Sequence, residues 1–321
     1  MNILITEHCA PFSEANKDRL REAAGGENIQ FLSRISDNSE FLNALAEADV
    51  VIGNLSAQEL KTAGKLKLLQ STNAGVDAYT GNPDFPAKAL LANCSGAFGG
   101  VISEYILGGL IALCRLLPQY HEQQKKALWQ CAGTELHLEG KTALILGCGD
   151  IGTQTAKRLK AFDVKTVGVR KHLSKPACHF DEVHSAGELD SLLGEADFVI
   201  GCMPGTPENT GLFDRERLLL MKKSAILVNV GRGSLIDTDA LASVLASGHL
   251  FGAVLDVVSP EPLPPEHPLW KLENVILTPH ISGISFGHAE KVEKIITDIC
   301  CGNLAAFREN RPLCNLVEER A

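Results

Sequence analysis

Thr142-Ala143-Leu144-Ile145-Leu146-Gly147-Cys148-Gly149-Asp150-Ile151-Gly152 is the stretch whose reading decides the fold. An apolar run enters a turn with glycine at three fixed places, and a helical pattern follows over residues 153–162. In such a turn Gly147 permits the sharp bend and Gly149 lets backbone approach a pyrophosphate. Gly152 allows the helix to pack closely on the strand. The stretch therefore predicts a strand, a phosphate-binding turn and a helix whose N-terminal amides hold an anion.

Working outward, apolar runs recur downstream at 165–169, 198–202, 226–230, 254–258 and 275–277. With 143–146 they make six strands separated by helical patterns, which matches two mononucleotide-binding halves. Upstream, a long helical pattern runs from Val101 to about Trp129, after the break at 96–100. The first hundred residues form a second α/β series. Its strands fall at 3–5, 29–32, 50–52, 66–69 and 90–92, and helices at 13–24 and 39–48 open with serine N-caps. The helical stretch 285–301 has no further strand to join, so it returns to the first series. The expectation is two doubly wound parallel-sheet domains: a cofactor domain, 99–283, inserted into a discontinuous substrate domain, 1–98 and 284–321.

Bulk properties narrow the field. The chain has 321 residues, 45% hydrophobic and 21% charged, as in ordinary soluble globular enzymes. A formal charge of −9 argues against nucleic acid bound through a basic surface. The N-terminus lacks the basic region of a signal peptide and no apolar run reaches membrane length, so a cytoplasmic protein with no membrane partner is expected. The ten cysteines include no C-x-x-C pair and no Cys/His cluster with ligand spacing. Buried thiols, without disulfides or a bound metal, are expected.

The strand after the glycine turn ends Val169-Arg170-Lys171. An NAD site usually places an acid there to bond the ribose hydroxyls. Arg170 instead offers a guanidinium that can hold a 2′-phosphate, with Lys171 beside it, so NADP(H) is the expected cofactor and NAD(H) remains possible. The alternative is that Arg170 and Lys171 are solvated strand-end charges.

Three further residues lie beyond strand C-termini: Arg232 in Val-Gly-Arg-Gly, Glu261 between Pro260 and Pro262, and His280 after Pro279. Together they suit reduction of a 2-keto acid. An arginine fork clamps carboxylate and carbonyl, and a histidine delivers the proton. A carboxylate bonded to that histidine fixes the ring and favours its protonated form. The other histidines (His8, His121, His137, His172, His179, His184, His249, His267 and His288) lack comparable settings. In the first domain, Asn73-Ala74-Gly75 opens a turn whose amides can cradle a carboxylate; a plain turn is the alternative.

These motifs, with Ser103-Glu104, the 203–210 segment, 227–233, 255–262 and 277–280, resemble the D-isomer-specific 2-hydroxyacid dehydrogenases over essentially the whole chain. The resemblance implies a Rossmann cofactor domain set into a flavodoxin-like substrate domain, with homodimers built on the cofactor domain. It implies Arg232 as substrate binder, Glu261 as partner of His280, and His280 as acid/base. Cofactor contacts are implied at Asp150, Ile151, Arg170, Pro204, Thr206, Val230, Gly231, Asp256, His280 and Gly283. Substrate contacts fall on Asn73, Ala74, Gly75, Phe98 and Arg232. The substrates implied are small 2-keto acids or their 2-hydroxy counterparts. Phe98-Gly99 stands where many members have Asn-Thr or Asn-Ser. A competing reading is a nucleotide-sensing binding protein of the corepressor type, which uses the same fold for protein contacts. Formate oxidation is disfavoured, because that chemistry needs no proton donor and usually pairs its histidine with Gln.

Overall fold

The computed structural model describes residues 1–7, 12–33, 38–174, 176–283 and 290–317. His8, His288 and the start of the helix expected at 285–301 lie outside the described residues. The chain divides into two compact units, one formed by Met1–Phe98 with Ile284–Ala321, the other by Gly99–Gly283.

Among the described residues, the first unit holds five parallel strands: β1 (Asn2–Glu7), β2 (Asn28–Ser33), β3 (Val50–Ile52), β4 (Leu68–Gln70) and β5 (Leu90–Ala92). Their order is β2-β1-β3-β4-β5, the flavodoxin-like arrangement. Helices α1 (Glu14–Ala24), α2 (Asn38–Glu47) and α3 (Ala57–Leu60) connect them. The short α3 is held at its start by a capping box, Ser56 with Glu59, a device worth about 1 kcal/mol. Helix Glu290–Arg308 packs on α1. Its Glu293 accepts from Ser13 N and Asn16 Nδ2, each at 2.7 Å, and its buried Asn303 donates to Gln70 Oε1 at 2.6 Å.

Among the described residues, the second unit holds seven parallel strands, one more than the apolar runs predict. They are β6 (Thr142–Leu146), β7 (Lys165–Arg170), β8 (Glu182–Ser185), β9 (Phe198–Gly201), β10 (Ile226–Asn229), β11 (Gly252–Leu255) and β12 (Val275–Leu277). The order β12-β11-β10-β9-β6-β7-β8 is the Rossmann order with an added edge strand, β12. The additional strand is β8, which has no buried residue and lies at the opposite edge. Strands β9, β10 and β11 are buried throughout, as parallel strands covered on both faces must be.

The long helix expected after residue 100 is two helices, α4 (Gly99–Cys114) and α5 (Leu117–Lys125), inclined at 64°. Leu116 breaks the path at φ 52°, and Pro118 lacks the N–H that would continue the first helix. Helices α6 (Asp150–Leu159), α7 (Leu189–Leu193), α8 (Arg215–Leu220) and α9 (Thr238–Ala246) complete the unit. No single helix among the described residues is long and apolar enough to cross a membrane.

Candidate active site

The chain leaves β6, runs out to β7 and β8, and returns to β9 on the other side of β6. That reversal opens a crevice at the C-terminal ends of β6 and β9, the place where open α/β sheets bind ligands. The glycine turn occupies it. Gly147 has φ 103°, and a Cβ there would lie 2.9 Å from Cys202 O. A Cβ on Gly152 would lie 1.9 Å from Gly147 O, so only glycine permits this helix–strand approach. At Gly149 a Cβ would meet no protein atom within 4 Å: this glycine faces open space at the N-cap of α6. The turn thus offers a concave backbone surface and a helix N-terminus to an anion, and a dinucleotide pyrophosphate fits it.

Helix α6 starts at Asp150, three residues before the predicted start. Ile151 and Gly152 are therefore in its first turn. The Asp150 carboxylate is engaged within the unit, where it accepts from Gly99 N at 2.7 Å and caps the start of α4. Cys148 packs as a small buried hydrophobe, and burial pushes its thiol up from the usual range. Arg170 ends β7, and its Nη1 donates to Pro176 O at 3.2 Å in the following loop. Lys171 is exposed next to it. Across the crevice, Pro204 is exposed and accepts through its carbonyl from Thr206 N and Asn209 Nδ2, shaping the loop after β9.

Arg232 is presented by a turn that the buried Asn229 builds. Asn229 Oδ1 accepts from Gly231 N at 3.2 Å, and its Nδ2 donates to Arg232 O at 3.0 Å. The glycines on either side are sterically required. A Cβ on Gly231 would lie 2.5 Å from Met203 O, and one on Gly233 would lie 1.8 Å from Val258 O. Val230 is buried at the start of the turn, its N–H donating to Gly201 O at 3.1 Å. Asn229 was not singled out in the sequence; the only signal was its place two residues before a Gly-Arg-Gly.

His280 and Glu261 meet. Nδ1 of His280 lies 3.0 Å from Glu261 Oε2, and Glu261 Oε1 accepts from Val258 N at 3.1 Å. A carboxylate can only accept, so Nδ1 carries the proton and Nε2 is the nitrogen left for proton transfer. An apolar recess of about 580 Å³ lies beside the pair, walled in part by Leu263, Trp270, Leu277 and Pro279. Asp256 is buried just past β11, and its carboxylate accepts from Thr278 Oγ1, Ile281 N and Ser282 N at 2.7, 2.7 and 2.8 Å. Gly283 closes this segment. Glycine turn, Arg170, Arg232, Asp256, Glu261 and His280 all belong to the one unit.

The residues expected to bind substrate in the first unit form a separate turn after β4. Ser71 Oγ accepts from Asn73 N at 3.1 Å and donates to Asn54 Oδ1 at 2.7 Å, while Asn93 Nδ2 donates to Ala74 O at 2.8 Å. Among the described residues, the amides of Ala74, Gly75 and Val76 have no protein acceptor. Phe98 is half-buried at the end of this stretch of chain. No group of three metal-ligating side chains occurs among the described residues.

This fold and site define a nucleotide-dependent oxidoreductase, and comparison with known proteins agrees. Residues 107–282 match the family model described as D-isomer specific 2-hydroxyacid dehydrogenase, NAD binding domain. A glyoxylate reductase of Thermofilum pendens is 31% identical over 280 residues, covering 83% of this chain and 78% of that protein. A D-3-phosphoglycerate dehydrogenase of Methanocaldococcus jannaschii is 33% identical over 293 residues, covering 88% of this chain and 55% of that protein. The crystal structure of a D-isomer specific 2-hydroxyacid dehydrogenase family protein from Aeromonas salmonicida superposes with a TM-score of 0.84 at 34% identity, over 99% of both chains. The chain belongs to the D-isomer specific 2-hydroxyacid dehydrogenase family. It is an NAD(P)-dependent enzyme acting on 2-hydroxy and 2-keto acids.

Proposed function

We propose that the protein reduces small 2-keto acids, such as glyoxylate, hydroxypyruvate or a branched-chain keto acid, and prefers NADPH. The observation that carries the reaction is the 3.0 Å contact between His280 Nδ1 and Glu261, which leaves Nε2 as proton donor. Arg170 at the end of β7 carries the cofactor preference, since it stands where an acid would repel a 2′-phosphate. The glycine turn, Arg170, Lys171, Pro204, Thr206, Val230, Gly231, Asp256 and Gly283 hold the dinucleotide, which when bound supplies the hydride. Arg232 clamps the substrate carboxylate and polarises the carbonyl. His280 Nε2 gives its proton to the carbonyl oxygen while Glu261 stabilises the ring. The amides of the Asn73–Gly75 turn also bind carboxylate, and Phe98 limits the side chain accepted.

The exposed apolar side chains Leu128 and Trp129, which follow α5, support pairing of two copies through the cofactor unit. Light scattering should then give twice the 34.4 kDa chain mass, and Trp129→Glu should return the single-chain value.

The test of function is turnover of a keto-acid panel, followed by loss of reduced-cofactor absorbance with NADPH and NADH separately. Steady turnover, faster with NADPH, is expected. Nucleotide binding without turnover of any keto acid would point instead to a nucleotide-sensing binding protein.

A further inference from the structure

His280 sits in the left-handed backbone region, which few residues other than glycine occupy, with φ at 57°. Something must hold it there, and the hydrogen bonds identify what. His280 N donates to Asp256 O at 2.8 Å and to Thr278 O at 3.1 Å. The Asp256 carboxylate grips both sides of the histidine, taking the Thr278 hydroxyl before it and the Ile281 and Ser282 amides after it. One more group touches this knot. Tyr105, on α4, places its hydroxyl 2.6 Å from Thr278 Oγ1.

The direction of that bond is fixed by proton bookkeeping. Thr278 has one hydroxyl proton, and Asp256 Oδ1, 2.7 Å away, is an acceptor that needs it. The Tyr105 hydroxyl must therefore donate to Thr278. Burial pushes the Tyr105 phenol up to about 12, so it keeps its proton across the working range of an enzyme. The protons point one way, from Tyr105 to Thr278 to Asp256, and each bond polarises the next.

We infer that Tyr105 is a positioning residue for the proton-transferring histidine, acting through the Thr278 hydroxyl and the Asp256 carboxylate. The inference rests on the reading of His280 as acid/base. Tyr105 sets the Thr278 rotamer, Thr278 sets Asp256, and Asp256 holds the left-handed backbone from which the imidazole projects. Displacing a reacting group by a fraction of an ångström slows the chemical step more than it weakens substrate binding.

The experiment compares the parent enzyme with Tyr105→Phe, Thr278→Val, Thr278→Ser, the Tyr105→Phe/Thr278→Val double variant and His280→Ala. It measures kcat and KM for a keto acid at saturating NADPH, together with the melting temperature. Tyr105→Phe should lower kcat about tenfold with KM within about twofold of the parent. Thr278→Val should do at least as much, and Tyr105→Phe should add nothing in its background. Thr278→Ser, which keeps the hydroxyl, should restore most of the rate. Parental kcat in Tyr105→Phe, or losses that multiply in the double variant, would overturn the inference. If Tyr105→Phe does not fold, the contrast between Thr278→Val and Thr278→Ser carries the test, and equal kcat in those two overturns it. Parental activity in His280→Ala would instead sink the acid/base reading on which the inference stands.

Discussion

Two strand ends in the cofactor unit are built by opposite means. Beyond β11 and β12, the segment carrying His280 is knotted to Asp256 by the Thr278 hydroxyl and three backbone amides, and the ring is oriented by Glu261. Beyond β7, Arg170 is a long side chain reaching a loop carbonyl, with an exposed lysine beside it. On the function proposed above, the first end performs the proton transfer, where a small misplacement is costly. The second end, on the same proposal, selects the cofactor through one charge. One end is held by a network of backbone and side-chain bonds; the other depends on one residue, which a single substitution would test.

The largest effect should come from the knotted end. His280→Ala should lower kcat for reduction by about 10²- to 10⁴-fold, the usual contribution of a positioned general acid. Glu261→Gln should cost less and leave NADPH affinity nearly unchanged, as fluorescence titration would show. Arg232→Lys should be nearly as damaging as Arg232→Ala, because a point charge cannot reproduce the fork. A lysine variant with parental kcat/KM would make Arg232 a structural residue.

At the selecting end the change should be intermediate and should concern preference. Arg170→Asp should invert the ratio of kcat/KM between NADPH and NADH, by an amount matching about 1–3 kcal/mol for a charge-assisted contact. Equal kcat/KM for both cofactors in the parent would end the comparison, because Arg170 would then be a solvated charge.

The smallest effect lies one strand further out, on stability. His184 of β8 faces Glu188 at 2.9 Å and Glu182 at 3.4 Å. The bond to Glu188 raises the His184 pKa from its ordinary 6.5, and the same bond, with help from Ser185, lowers Glu188 from 4.5 to about 2. A raised histidine stabilises the fold below its unfolded pKa and loses that contribution as pH rises. A depressed carboxylate stabilises it above its unfolded pKa and loses that contribution as pH falls towards about 2. Both act together between 4.5 and 6.5. His184→Gln should therefore lower the melting temperature slightly in that window and hardly at all at pH 9. An equal deficit at both pH values would show that the pair contributes through packing, not charge.

How much of this could be read from sequence depended on whether the signal was local. The strand, glycine turn and helix at 142–159 were legible because each residue type answers a nearby steric demand, such as the Gly152–Gly147 approach. The parallel order followed from the alternation of elements. Strand β8, Glu-Val-His-Ser, escaped because an edge strand with no buried residue carries no apolar run. The break at Leu116 was announced by Pro118, which the apolar continuity of the helix concealed. Arg232, Glu261 and His280 stood out through their Gly and Pro settings. Tyr105 did not, because its partner lies 173 residues away and nothing around it is unusual. The capping of α4 by Asp150 was hidden for the same reason.

The discontinuous unit has a consequence for how the protein is made. Its five strands are encoded before residue 99, yet helix Glu290–Arg308, which covers α1 and satisfies the buried Gln70, leaves the ribosome only after all of 99–283. The inserted unit is contiguous and can close its own core first. Until the late helix arrives, the early sheet lacks the cover of α1 and the Asn303 donor to Gln70 Oε1, and it completes by a contact spanning the whole insert. The part translated first should thus be finished last, because its closing helix is the last element to be made.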